Sequence, residues 1–207
     1  MAGRTKPRTA IAVKAAETAT AAAGKAQGMV KAAQAAGMKA TASMSILRMV
    51  LVIGSGDEGG DDDGICHADK ARDDFVKTVA RWLAQMVEWG AKQAISASNQ
   101  AKHIAMRSER AALHARAVQL RSLSTDPLEH EQTAAAVRKA VEAARIAMKA
   151  AAAAASSAAE ANEAAGEART ATANAAISPA RNFIGLKPAL DKSALVKRKV
   201  RAVSRSF

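Results

Sequence analysis

Tyrosine is absent and aromatic residues make up only 2% of the 207-residue chain, so there is too little bulk for a thick globular core. Cysteine occurs once, at Cys66, which excludes an internal disulfide and any multi-cysteine metal site. Its neighbour His67 is badly placed to share an ion with it. A free thiol is one reading, and a disulfide between two chains in an oxidising compartment is the other. Histidine is scarce too: His103 and His114 share a helical face but lie roughly 16 Å apart, and His130 stands alone. No Ser/His/Asp or Cys/His arrangement can be drawn, and Asp73-Asp74 belong to a solvated helix face. Neither an enzyme nor a cofactor or metal site is expected.

Long apolar runs are also missing. The one concentrated stretch is Met44-Ser45-Ile46-Leu47-Arg48-Met49-Val50-Leu51-Val52-Ile53-Gly54-Ser55-Gly56. A bilayer span needs roughly 20 apolar residues, and this one is shorter and carries Arg48, so no transmembrane span is expected. A secretory leader core, a short strand and a buried helix all fit it. Gly54, Gly56 and Gly59 match the spacing of a dinucleotide-binding fingerprint. The match lacks its context, because Gly59-Gly60-Asp61-Asp62-Asp63-Gly64 cannot open a helix and Asp57 and Glu58 would repel a pyrophosphate. A calcium loop fails as well, with Gly59 and Lys70 where acids are required.

What the chain does have is helical periodicity over 69–177. The first arm repeats small or apolar residues at alternating spacings of four and three: Val76, Ala80, Leu83, Val87, Gly90, Ala94, Ala97, Ala101, Ile104, Ser108, Ala111, Ala115 and Val118. A second seam, Phe75, Val79, Trp82, Met86 and Trp89, runs beside its opening turns and supplies helix-packing anchors where a third helix can dock. The second arm repeats the pattern in Ala134, Val137, Val141, Ala144, Met148, Ala151, Ala155 and Ala158. Asn162 and Arg169 interrupt it, so its far end is expected to pack less well.

Between the arms, Asp126 suits an N-cap, Pro127 a first helical position and Glu129 a capping box. Antiparallel pairing of two arms of nearly equal length gives a rod of roughly 75 to 85 Å. The expected fold is all-α: a long antiparallel helical hairpin, steadied by a third helix or a second chain, with disordered tails. Alanine holds each helix well but buries little area, so two arms alone are marginal.

Around this hairpin (68–177) the chain divides by charge. Residues 1–43 form a basic low-complexity arm or an import leader, with Glu17 its only acid; 44–56 is the apolar segment; 57–67 is an acidic Gly/Asp linker; 178–207 is a basic tail. The formal net charge of +12 lies mostly at the two ends, the segments 1–56 and 177–207 each carrying +7. Lys197, Arg198, Lys199 and Arg201 form a cluster able to hold nucleic acid or an acidic surface electrostatically, without interleaved aromatics that would read sequence.

The apolar segment, the acidic spacer, the cysteine and the two long alanine-rich arms, with a surface such as that of 138–169, resemble the ectodomains of trypanosome surface proteins of the variant and invariant surface glycoprotein type. The resemblance covers 44–177. It implies a non-enzymatic helical bundle at the cell surface or secreted, acting as spacer, coat component or ligand-binding scaffold, with 44–56 as leader. The alternative from the residues alone is an intracellular protein, mitochondrial or otherwise. Its basic tails would dock on nucleic acid or an assembly while its helical seam meets a partner protein or a second copy.

Overall fold

The computed structural model of the chain describes residues 6–54, 66–121 and 127–177, which form three long helices: α1 (Lys6–Gly54), α2 (Cys66–Arg121) and α3 (Pro127–Ile177). Each packs against the other two. At 1.5 Å per residue they are about 74, 84 and 77 Å long. Ser108 Oγ of α2 donates to the Ala19 carbonyl of α1 at 3.1 Å. Further along, Gly90 lies against Ala36 and Ala40. As the number rises on one helix it falls on the other, so α1 and α2 are antiparallel. Thr9 meets Thr133 and Gly37 meets Ser157, so α1 and α3 run parallel.

A strict seven-residue period organises all three helices. In α1 the row Ala12, Ala19, Ala26, Ala33, Ala40, Leu47 is fully buried at every step. Its counterparts are Ala80, Val87, Ala94, Ala101, Ser108, Ala115 in α2 and Thr133, Ala140, Ala147, Ala154, Ala161, Ala168 in α3, none more than 2% exposed. A period of 3.5 residues per turn keeps one stripe facing the partners by left-handed supercoiling. Methyl-sized side chains let the backbones approach closely, and that approach sets the rest of the packing. At mid-length the core narrows to Ala33, Ala97, Ala101 and Ala154. A methyl on Gly90 would stand 3.1 Å from the Ala36 oxygen, and one on Gly37 3.2 Å from the Ser157 oxygen. The larger core side chains, Met44, Leu47, Leu51, Leu83 and Val87, gather at the end where α1 finishes and α2 starts.

Three expectations change. Residues 6–54 are neither a disordered arm nor a strand: the basic arm and the apolar segment together make α1, the third helix of the bundle. Gly24 and Gly28 sit on its exposed side, where they cost helix propensity without breaking it. Extended in this way, Thr9–Val52 is long and apolar enough to cross a membrane by length and composition, which the short run 44–56 was not. In this fold it is instead a packed bundle helix. The seam of α3 is rotated by one residue. Val137, Ala144 and Ala158 are buried, whereas Val141, Met148 and Ala155 are exposed. The sequence seam was drawn towards α2 alone. With α1 on the other flank, the buried stripe moves round to Ala136, Ala140, Ala143 and Ala147. For the same reason the far end of α3 packs well: Asn162 and Arg169 lie outside, and Ala161, Ala164, Ala165 and Ala168 are buried against Leu47 and Leu83 in one cluster.

The seam read from α2 holds along its whole length, since each of its thirteen residues is buried or half-buried. α3 begins at Pro127 as expected, with Glu129 in its first turn. The acidic stretch 55–65, the Ser124-Thr125-Asp126 turn and the basic tail with Lys197, Arg198, Lys199 and Arg201 lie outside the described residues.

Candidate docking face

The two faces flanking α3 are closed by ion pairs. Arg48 of α1 pairs with Glu167, and Glu88 of α2 accepts from Arg169 Nε at 2.7 Å. These pairs lie on opposite flanks of α3 and tie it to both neighbours in one register. The Arg169 hydrogen bond holds the Glu88 carboxyl below its ordinary value; burial opposes it, and the charges of Arg169 and then Lys92 make lesser contributions to the lowering. All four side chains keep substantial solvent access, so each pair contributes no more than about 1 kcal/mol.

The same pairs show which way the other flanks turn. At 100° per residue, Ile46 lies roughly 160° around α1 from Arg48, and Met86 roughly 160° around α2 from Glu88. Ile46 and Met86 therefore stand on the flanks of α1 and α2 that turn towards each other, away from α3. Seven-residue steps extend these flanks along the rod. On α1 they carry Ile11, Lys14, Lys25, Lys39, Ile46 and Met49, among small residues such as Ala21, Ala32, Ala35 and Ala42, all exposed. On α2 they carry Phe75, Val79, Trp82, Met86 and Trp89, then Gln93, Ser96 and Gln100, then His103, Arg107, Arg110 and His114.

The anchors expected from the sequence are thus on the face next to α1 but not under it. Phe75 is 68% exposed, Trp82 58%, Met86 39% and Trp89 50%; Val79, half-buried, packs against the core. Close approach is the physical reason. An interface that brings Gly90 against the α1 backbone has no room for an indole, so α1 settles on Leu83, Val87, Gly90 and Ala94 and leaves the large rings outside. Size and spacing pointed these rings inwards, whereas the placement of charge marks their face as an outer one. Among the described residues, the seven-residue rows that carry Lys14, Lys25, Lys39, Arg107 and Arg110 hold no aspartate or glutamate, whereas Asp74, Glu88 and Glu109 stand on the α3 side of α2.

Little in the described residues resembles a reaction centre. No group of three His, Cys, Asp or Glu side chains able to hold a metal ion occurs among them. A cleft between α2 and α3, lined by Lys77, Ala80, Arg81, Thr172 and Ala175, has a volume of about 30 Å³, room for a water or two. The buried hydroxyls are satisfied internally, Ser108 by Ala19 and Thr133 by the Glu129 carbonyl at 2.8 Å. Cys66 and His67 open α2. No family model matches the chain, and neither a curated protein nor a solved structure matches it.

Proposed function

We propose that the chain is a non-enzymatic helical rod that serves as a spacer or scaffold and presents its long lateral faces to partners. The observation that carries this reading is the fully buried row of small side chains running the length of all three helices, from Ala12 to Leu47 in α1 and its counterparts in α2 and α3. Such a core holds three helices close over about 75 Å and, among the described residues, fills the axis of the bundle with methyl-sized side chains. Function then lies on the outside.

Where the rod works depends on α1. In the surface or secreted reading that the trypanosome resemblance implies, 44–56 would be removed as a leader. That removal would take Met44, Leu47 and Leu51, three of the largest core side chains, out of the bundle. Their burial favours a chain that keeps α1, and with it the reading of an intracellular or organellar assembly component. Intact-mass measurement of the protein from its native cell, followed by small-angle scattering of that species, tests this. A mature chain that retains α1 and scatters as a rod near 80 Å long fits the proposal. A mature chain starting beyond Gly54 would overturn it.

A further inference from the structure

We infer that the face formed by α1 and α2 is a docking surface for an anionic lipid bilayer, on which the rod lies along its length. Two observations meet there. At one end the face exposes Ile46, Met49, Phe75, Trp82, Met86 and Trp89, large apolar side chains that the fold leaves 39 to 68% open to solvent. Towards the other end it carries Lys14, Lys25, Arg107 and Arg110, with Lys39 beside the apolar end, and the seven-residue rows of these side chains hold no acidic residue among the described ones. Among the described acids, Glu88 and Glu109 lie on the α3 flank of α2, and Glu160, Glu163 and Glu167 lie on α3.

Charge complementarity therefore selects an anionic partner, and the apolar end selects among anionic partners. A nucleic-acid backbone would engage the lysines and arginines and leave two indoles, a phenyl ring and two methionines in water. A bilayer takes both. Tryptophan and phenylalanine settle at the headgroup level, methionine and isoleucine reach the acyl boundary, and each Lys or Arg near an anionic leaflet adds electrostatic attraction. The heptad period helps, since residues at seven-residue steps stay on this same face of the supercoiled bundle every 10.5 Å or so. Exposed alanines at intervening positions of α1, such as Ala32, Ala35 and Ala42, keep its half of the face low between the lysines.

The chain carries its own reporter, because Trp82 and Trp89 are its only tryptophans and both stand on this face. The full-length protein is mixed with vesicles of phosphatidylcholine alone or with phosphatidylserine added. Expected are co-sedimentation with the phosphatidylserine vesicles only, a blue shift of tryptophan emission, and quenching by lipids brominated along the acyl chain. Met49→Glu with Met86→Glu, both at exposed positions, is expected to keep the helical circular dichroism and weaken vesicle binding by tenfold or more. Binding without an emission shift, as from a basic tail acting alone, would overturn the assignment. So would binding of a 30-base-pair duplex at physiological salt with no response to vesicles, which would identify nucleic acid as the partner.

Discussion

Glycine substitutions separate the packing of α1 from its helix propensity, and the two have opposite signs at different positions. At Gly24 in α1 and Gly166 in α3 an added methyl meets nothing within 4 Å. Gly24→Ala and Gly166→Ala should each stabilise the fold by about 0.8 to 1 kcal/mol, the ordinary difference between the two residues in a helix. At Gly90 the same gain is opposed. The methyl would stand 3.1 Å from the Ala36 oxygen, 3.1 Å from Ala40 Cβ and 3.3 Å from the Ala40 nitrogen. Two of these three are backbone atoms of α1, so relief requires the helix itself to move, and overpacking of this kind costs about 1 to 3 kcal/mol. Gly90→Ala should therefore leave stability unchanged or lower it by up to about 2 kcal/mol. Thermal unfolding followed by helical circular dichroism reads the difference, at about 2 to 4 °C per kcal/mol for a protein of this size. If Gly90→Ala raised the melting temperature as much as Gly24→Ala does, α1 would not pass over Gly90 and the packing described above would be wrong.

Other substitutions test individual contacts. Leu47→Ala removes the largest fully buried side chain of α1 and should cost about 2 to 5 kcal/mol in urea unfolding, far more than Met49→Ala one turn edge away on the surface. Ser108→Val fills a site already in contact with the Ala19 backbone and loses its hydrogen bond, so it should destabilise by about 1 to 3 kcal/mol, whereas Ser108→Ala should cost about 1 kcal/mol. Because Glu88 titrates below its ordinary value in the fold, its pair with Arg169 adds stability above the unfolded carboxyl's titration and loses it as pH falls through the folded one. Glu88→Gln should thus lower the unfolding free energy read from urea titration at pH 7 by less than about 1 kcal/mol, and the gap from the parent chain should close in acid.

How much of this was legible in the sequence depends on contrast between neighbouring positions. The α2 seam stood out because Leu83, Val87 and Ile104 alternate with Arg81, Gln85 and Lys102, and every residue assigned to it is buried or half-buried. The start of α3 was legible from Pro127 and Glu129. α1 was obscured because alanine occupies both its inner positions, such as Ala26 and Ala33, and its outer ones, such as Ala32 and Ala35, so burial leaves little trace in composition. The signal lay in the period: Ala12, Ala19, Ala26, Ala33, Ala40 and Leu47 recur every seven residues through a stretch otherwise dotted with lysine, threonine and glutamine. In α3 the large residues misled. Val141 and Met148 attracted the seam, yet a close-packed three-helix core admits methyls and sends bulk outwards. The same rule misplaced Trp82 and Trp89, whose size argued for burial and whose neighbours, Gly90 and Ala36, left no space for it.

The central claim is that residues 6–54 form a third helix parallel to α3, and one cross-link tests it directly. Thr9 Oγ1 and Thr133 Oγ1 stand 3.4 Å apart, close enough for a disulfide after Thr9→Cys and Thr133→Cys in a Cys66→Ser background. Thr172 lies some 58 Å further along α3. The account predicts that mild oxidation closes the 9–133 bridge within single chains in high yield and leaves a 9–172 pair reduced. Failure of the first pair to close, or equal closure of the second, would contradict it.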